Sequence, residues 1–100
     1  MLDSSFGSPR MPTDPPLELD GMPFAQEMWI KTVAENSAIR DLDYDLLLDY
    51  CKTYEEIEQL KADRALQEEG SVIYNGLSRM IESRSVLFAK QRRLLYPDEP

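Results

Sequence analysis

The stretch Gln67–Arg79, QEEGSVIYNGLSR, decides how this chain of 100 residues is put together. A charge-rich helical pattern runs into it and stops at Gly70, the residue type that ends helices in a left-handed backbone. Four residues, Ser71–Tyr74, then read as extended chain. A second glycine, Gly76, precedes a basic helical pattern. A joint this short folds two long helices back on each other as an antiparallel hairpin. Val72, Ile73 and Tyr74 favour strand, and Asn75-Gly76 is a two-residue β-turn signal. A second option is therefore a small β-hairpin at the joint, Val72–Tyr74 against Leu77–Arg79, which delays the last helix to about Glu82. Two strands alone are marginal, so this option requires packing from a helix or a neighbouring subunit.

Working outward, the helix before the joint is predicted over about 44–69. Asp43 is a good N-cap, Leu42 and Leu47 can form a hydrophobic staple, and Asp45 suits the first turn. Its apolar stripe is Leu47, Tyr50, Cys51, Tyr54, Ile57 and Leu60, and thins beyond. The helix after the joint is predicted over about 77–95. Met80, Leu87 and Leu94 are seven apart, as are Ile81, Phe88 and Leu95, with Arg84 and Gln91 interrupting the stripe. Heptad spacing favours packing against another long helix at a shallow angle. A shorter helix is predicted over about 23–36, opened by Pro23 and carrying the only tryptophan, Trp29, on a broad apolar face. Residues 1–22 hold Pro9, Pro12, Pro15 and Pro16 with two glycines and read as a disordered or extended arm. The expected fold is all-α: an arm, a short helix and a long helical hairpin, in one helical domain over 23–97.

The net charge of −8 is unevenly spread. Residues 1–70 carry 16 acids and 6 bases, whereas residues 71–100 carry 3 acids and 5 bases. The last helix is the one place where a positive surface is expected, with Arg79, Lys90, Arg92 and Arg93 off or at the edge of its apolar stripe. These bases either contact phosphates or balance the acidic long helix across the hairpin.

The chemistry of an enzyme is not legible. The chain has no histidine and one cysteine, Cys51, which sits in a helical apolar stripe and reads as a small buried hydrophobe. The joint lacks the Lys-Ser/Thr of a phosphate loop. The acids Asp41, Asp43, Asp45 and Asp49 resemble a calcium loop only loosely, without its central glycine and closing glutamate. Glu55, Glu56 and Glu58 read as a solvated helix face. No catalytic residue, metal site or cofactor is expected. Neither a membrane-spanning run nor a signal peptide is seen, so a cytoplasmic protein is expected.

The order of features carries a resemblance. A Pro-rich arm is followed by the helix AQEMWIKTV, then LDYDLLLDYCKTYEEIEQL, then EEGSVIYNG, and a final helix ending AKQRRLLYP. Over about residues 23–97 this resembles the small subunit of terminases from phages with cohesive-end genomes. The matching features are a Trp-led helix, an acidic turn residue at Asp43, a Tyr/Cys face at Tyr50, Cys51 and Tyr54, and the joint from Gly70 to Gly76. The family's proline between joint and last helix is missing, and its tail is reduced to YPDEP.

The resemblance implies a non-catalytic component of viral DNA packaging in the host cytoplasm. Family members form rings, recognise viral double-stranded DNA and modulate the ATPase and nuclease of the large terminase subunit. Long helices with more apolar face than one chain covers fit such an oligomer, and rings need a heterologous, closing interface. The expected interface residues are Val72, Ile73, Tyr74, Leu87 and Leu94. The rival expectation is a helical protein-interaction or virion-assembly module without DNA binding.

Overall fold

Three helices account for most of the computed structural model, which describes residues 12–36, 39, 40 and 43–97. They are α1 (Pro23–Glu35), α2 (Tyr44–Ala65) and α3 (Val72–Leu95), preceded by a single 3-10 turn at Leu17–Leu19. There is no β-strand among the described residues.

α1 begins where Pro23 presets the helical φ, and it buries Ala25, Trp29, Thr32 and Val33, a stripe at helical spacing. α2 and α3 lie antiparallel. Tyr50 stacks on Phe88 with ring centroids 4.4 Å apart. Arg84 Nε approaches Glu56 Oε2 at 3.4 Å. Arg64 Nη1 donates to Ser78 Oγ at 3.2 Å. As the α2 number rises along these contacts, the α3 number falls, which is the register of the expected hairpin. The core gathers Leu19, Trp29, Leu47, Tyr50, Cys51 and Leu95 at the end of the hairpin away from the joint. There α1 lies across it. At the α1 C-terminus, Asn36 Nδ2 donates to the last-turn carbonyl of Leu95 at 2.6 Å, a side chain from one helix satisfying the open end of another.

The joint differs from both expectations. α2 ends at Ala65 rather than Glu69. The N–H groups of Leu66 and Gln67 bond back to Asp63 and Arg64, tightening the last turn. The apolar stripe thins after Leu60, and Leu66 stands in solvent, so nothing holds the helix together further on. The Ser71 N–H then bonds to the Glu68 carbonyl at 3.0 Å, closing a turn with Gly70 at φ 84°, a backbone that suits glycine. The small β-hairpin is absent, and α3 starts at Val72 instead of Leu77. Ser71 is the reason, because its hydroxyl accepts the Tyr74 N–H at 3.1 Å and caps the helix. The strand preference of three residues and the Asn-Gly signal lose to that cap and to packing of α3 along α2.

The expected arm divides. Residues 1–11 lie outside the described residues. Residues 12–22 pack on the helices: Leu19 is fully buried, and the Trp29 indole Nε1 donates to the Pro12 carbonyl at 3.0 Å. An apolar side chain placed in the core overrides the extended preference of the prolines around it. Asp43 does sit at the N-cap of α2, but its carboxylate turns back to accept the Arg40 N–H at 3.0 Å and makes no side-chain bond to the α2 backbone. The staple partner Leu42 lies outside the described residues.

Candidate functional site

The face of α3 turned from α2 carries the residues for which no role inside the chain is evident. Arg79, Lys90 and Arg93 are all exposed. At 3.6 residues per turn they fall within a sector about 60° wide and span about 21 Å of helix. Three cations on one face at that reach can contact successive phosphates of a polyanion. Arg93 also stands in the last turn, where the helix dipole favours positive charge.

The fourth expected base is placed differently. Arg92 Nη1 donates to the hydroxyl of the buried Tyr50 at 3.1 Å, and its guanidinium lies over the Tyr96 ring, 4.5 Å from the centroid. Burial raises the Tyr50 pKa, and the Arg92 hydrogen bond and charge act against that rise. Arg92 therefore ties the C-terminus of α3 to α2, so a substitution there tests folding as much as binding. Arg84 faces Glu56 across the hairpin, which is the charge-balancing role, here filled by a base outside the candidate set.

The expected interface residues also separate. Val72 is 88% exposed, and Ile73, Leu87 and Leu94 are 60%, 38% and 67% exposed. Tyr74 instead turns toward α2, with the Arg64 guanidinium 5.5 Å from its ring centroid. Met80 and Val86, which the sequence did not single out as surface residues, are 51% and 55% exposed. The two heptad series of α3 thus have opposite fates. Ile81 and Leu95 are buried and Phe88 packs on the core, whereas Met80, Leu87 and Leu94 face outward. Beside Met80 lies a groove of about 450 Å³ lined by Met22, Lys52, Glu55, Glu56, Gln59 and Leu60.

Glu55 corrects the reading of the α2 acids as one solvated face. It is buried, and its Oε1 accepts the N–H groups of Phe24 at 2.8 Å and Ala25 at 3.0 Å. Its Oε2 accepts from Gln59 Nε2 at 2.7 Å. α1 opens at Met22 with no capping side chain of its own. A carboxylate from α2 supplies the cap, favoured by the dipole of α1. The only sequence signal was the missing cap at Met22-Pro23, which asks for an acceptor without saying where it is.

Burial pushes the Cys51 thiol from 9.0 up to about 12, so it stays protonated at neutral pH. Among the described residues no group of three or more His, Cys, Asp or Glu is placed to hold a metal ion. None of the described helices is long and apolar enough to cross a membrane. No protein-family model matches the chain, and no curated protein or solved structure matches it either.

Proposed function

We propose that this chain is a terminase small subunit: a non-catalytic, oligomeric adaptor that engages viral double-stranded DNA and regulates the large terminase subunit during genome packaging in the host cytoplasm. The observation that carries the reading is the outer face of α3, where Arg79, Lys90 and Arg93 share one sector beside an unpartnered apolar row. The bases supply phosphate contacts, and the apolar row supplies contact between copies, in a ring or a smaller assembly. The order of sequence features over residues 23–97 supports the family. The exposed face of α2 is mainly acidic, with Asp45, Asp49, Glu56 and Asp63 along it. It repels DNA and confines binding to α3.

Duplex binding by the full chain at several salt concentrations tests this. Three phosphate contacts per chain predict a log–log salt slope near −3 for each bound copy. Replacing Arg79, Lys90 and Arg93 by Glu abolishes binding while the helical spectrum stays unchanged. Arg92 is left intact because of its bond to Tyr50. Absence of binding to any duplex at low salt overturns the reading.

The second reading is a helical interaction module without DNA binding. The net charge of −8 and the acidic face of α2 favour it. It predicts a protein partner and no salt-dependent retention on DNA.

A further inference from the structure

Ile73, Met80, Leu87 and Leu94 form a row along α3, seven residues apart and all exposed. The row is about 31 Å long, nearly the whole helix. A helix that keeps apolar residues at this period presents a seam for another long helix. α2 does not fill it, because α2 meets the neighbouring row, about 100° round the helix, where Phe88 stacks on Tyr50. Met80 borders α2 only across the groove.

The second column of that seam consists of Gly76, Ser83 and Lys90. Gly76 has no reason inside the chain. It lies within α3, where glycine is the poorest helix former after proline, and its φ is not positive. No atom of a neighbouring element lies within 4 Å of where its Cβ would stand. Now set a second α3 antiparallel to the first, about a two-fold axis near Ser83. Ile73 meets Leu94 of the partner subunit, and Met80 meets Leu87 of the partner subunit. Ser83 meets its own copy. Gly76 meets Lys90 of the partner subunit, whose long aliphatic stem can lie over the bare backbone with its ammonium in water.

The flanking positions choose the direction. Val72, Arg79, Val86 and Arg93 alternate between apolar and basic. The antiparallel pairing sets every arginine opposite a valine of the other copy. A parallel pairing sets Arg79 against Arg84 of the partner subunit, like charges at close range.

We propose that the chain forms a two-fold dimer through this seam, α3 against α3 in antiparallel register centred on Ser83. The pairing is isologous and does not rest on the packaging reading. Any ring is then built from such dimers through another face.

Light scattering and disulfide trapping on the full chain test the proposal. The wild type runs as a dimer at micromolar concentration. Leu87→Glu weakens dimerisation by on the order of 100-fold, since each dimer then holds two carboxylates in an apolar seam. Its helical spectrum is unchanged. Ser83→Cys alone is trapped as a disulfide dimer under oxidation. Gly76→Cys and Lys90→Cys are trapped when mixed and not when separate. Cys51 is buried and protonated and contributes no background. A wild type monomeric at 100 micromolar (on the order of the highest useful concentration) overturns the proposal. So does Gly76→Cys trapping with itself, which marks a parallel pair. A dimer in which Ser83→Cys is not trapped places the contact elsewhere and overturns it as well.

Discussion

At the end of the hairpin where α1 packs, Trp29, Leu47, Tyr50 and Cys51 are fully buried, and hydrogen bonds tie the helix ends to one another. At the joint end, Leu66, Val72 and Ile73 stand in solvent. The two helices touch there through Arg64, Ser78 and Tyr74. Both ends belong to the same two helices, so helix formation alone does not separate them. The difference is a third layer: α1 and the segment before it close one end and leave the other two-sided. At the joint end that leaves Val72 and Ile73 bare, and the exposed row of α3 continues to Leu87 and Leu94 on the side that α1 does not cover.

If stability is concentrated at the closed end, the largest loss follows Trp29→Ala, about 3–5 kcal/mol by denaturant unfolding. That loss leaves little of the stability of a small domain. Cys51 gives the next effect, without mutation. Its pKa is raised in the folded chain, so the unfolded chain releases the proton first as pH rises. Stability is full below pH 9.0 and falls as pH climbs toward about 12, by up to about 4 kcal/mol. Cys51→Ala lowers stability at neutral pH and flattens that alkaline fall.

Glu55→Ala leaves two N–H groups of α1 without their acceptor and costs about 1–3 kcal/mol. Glu55→Gln keeps an acceptor and costs less than Glu55→Ala, by thermal melting. At the joint end the signs change. In a Leu87→Glu background, which holds the chain monomeric, Gly76→Ala raises stability by about 0.5–1 kcal/mol, as helix propensity dictates. Ile73→Ser changes it by no more than about 0.5 kcal/mol in the same background. A joint-end substitution that costs as much as Glu55→Ala in a monomer would erase the contrast between the ends.

The sequence disclosed the helices and their antiparallel order because periodicity and short connections are local. It misled at Ser71–Gly76, where strand preference and a turn signal pointed one way and a serine cap the other. The cap prevails because the helix it starts also packs on α2, and that packing involves residues far away in the chain. Glu55 was illegible for a related reason. Its partners, Phe24 and Ala25, lie 31 and 30 residues earlier, and nothing in a run of acids says which one turns inward. The three bases Arg79, Lys90 and Arg93 were legible as a set because they share α3. The separation of Arg92 from them depends on Tyr50, 42 residues away. The two heptad series were visible as spacings, but only the position of α2 shows which is covered.

The hydrogen bond from Trp29 to Pro12 makes the chain its own optical probe. Trp29 is the only tryptophan, and its indole is sealed in the core with the N–H held by the segment that leads in from the N-terminus. Its fluorescence therefore reports whether that segment is seated. Emission that shifts to the red when a partner or DNA is added, with the helical spectrum constant, signals release of residues 12–22 from α1. Emission that holds steady signals a partner that docks on α3 and leaves the closed end shut.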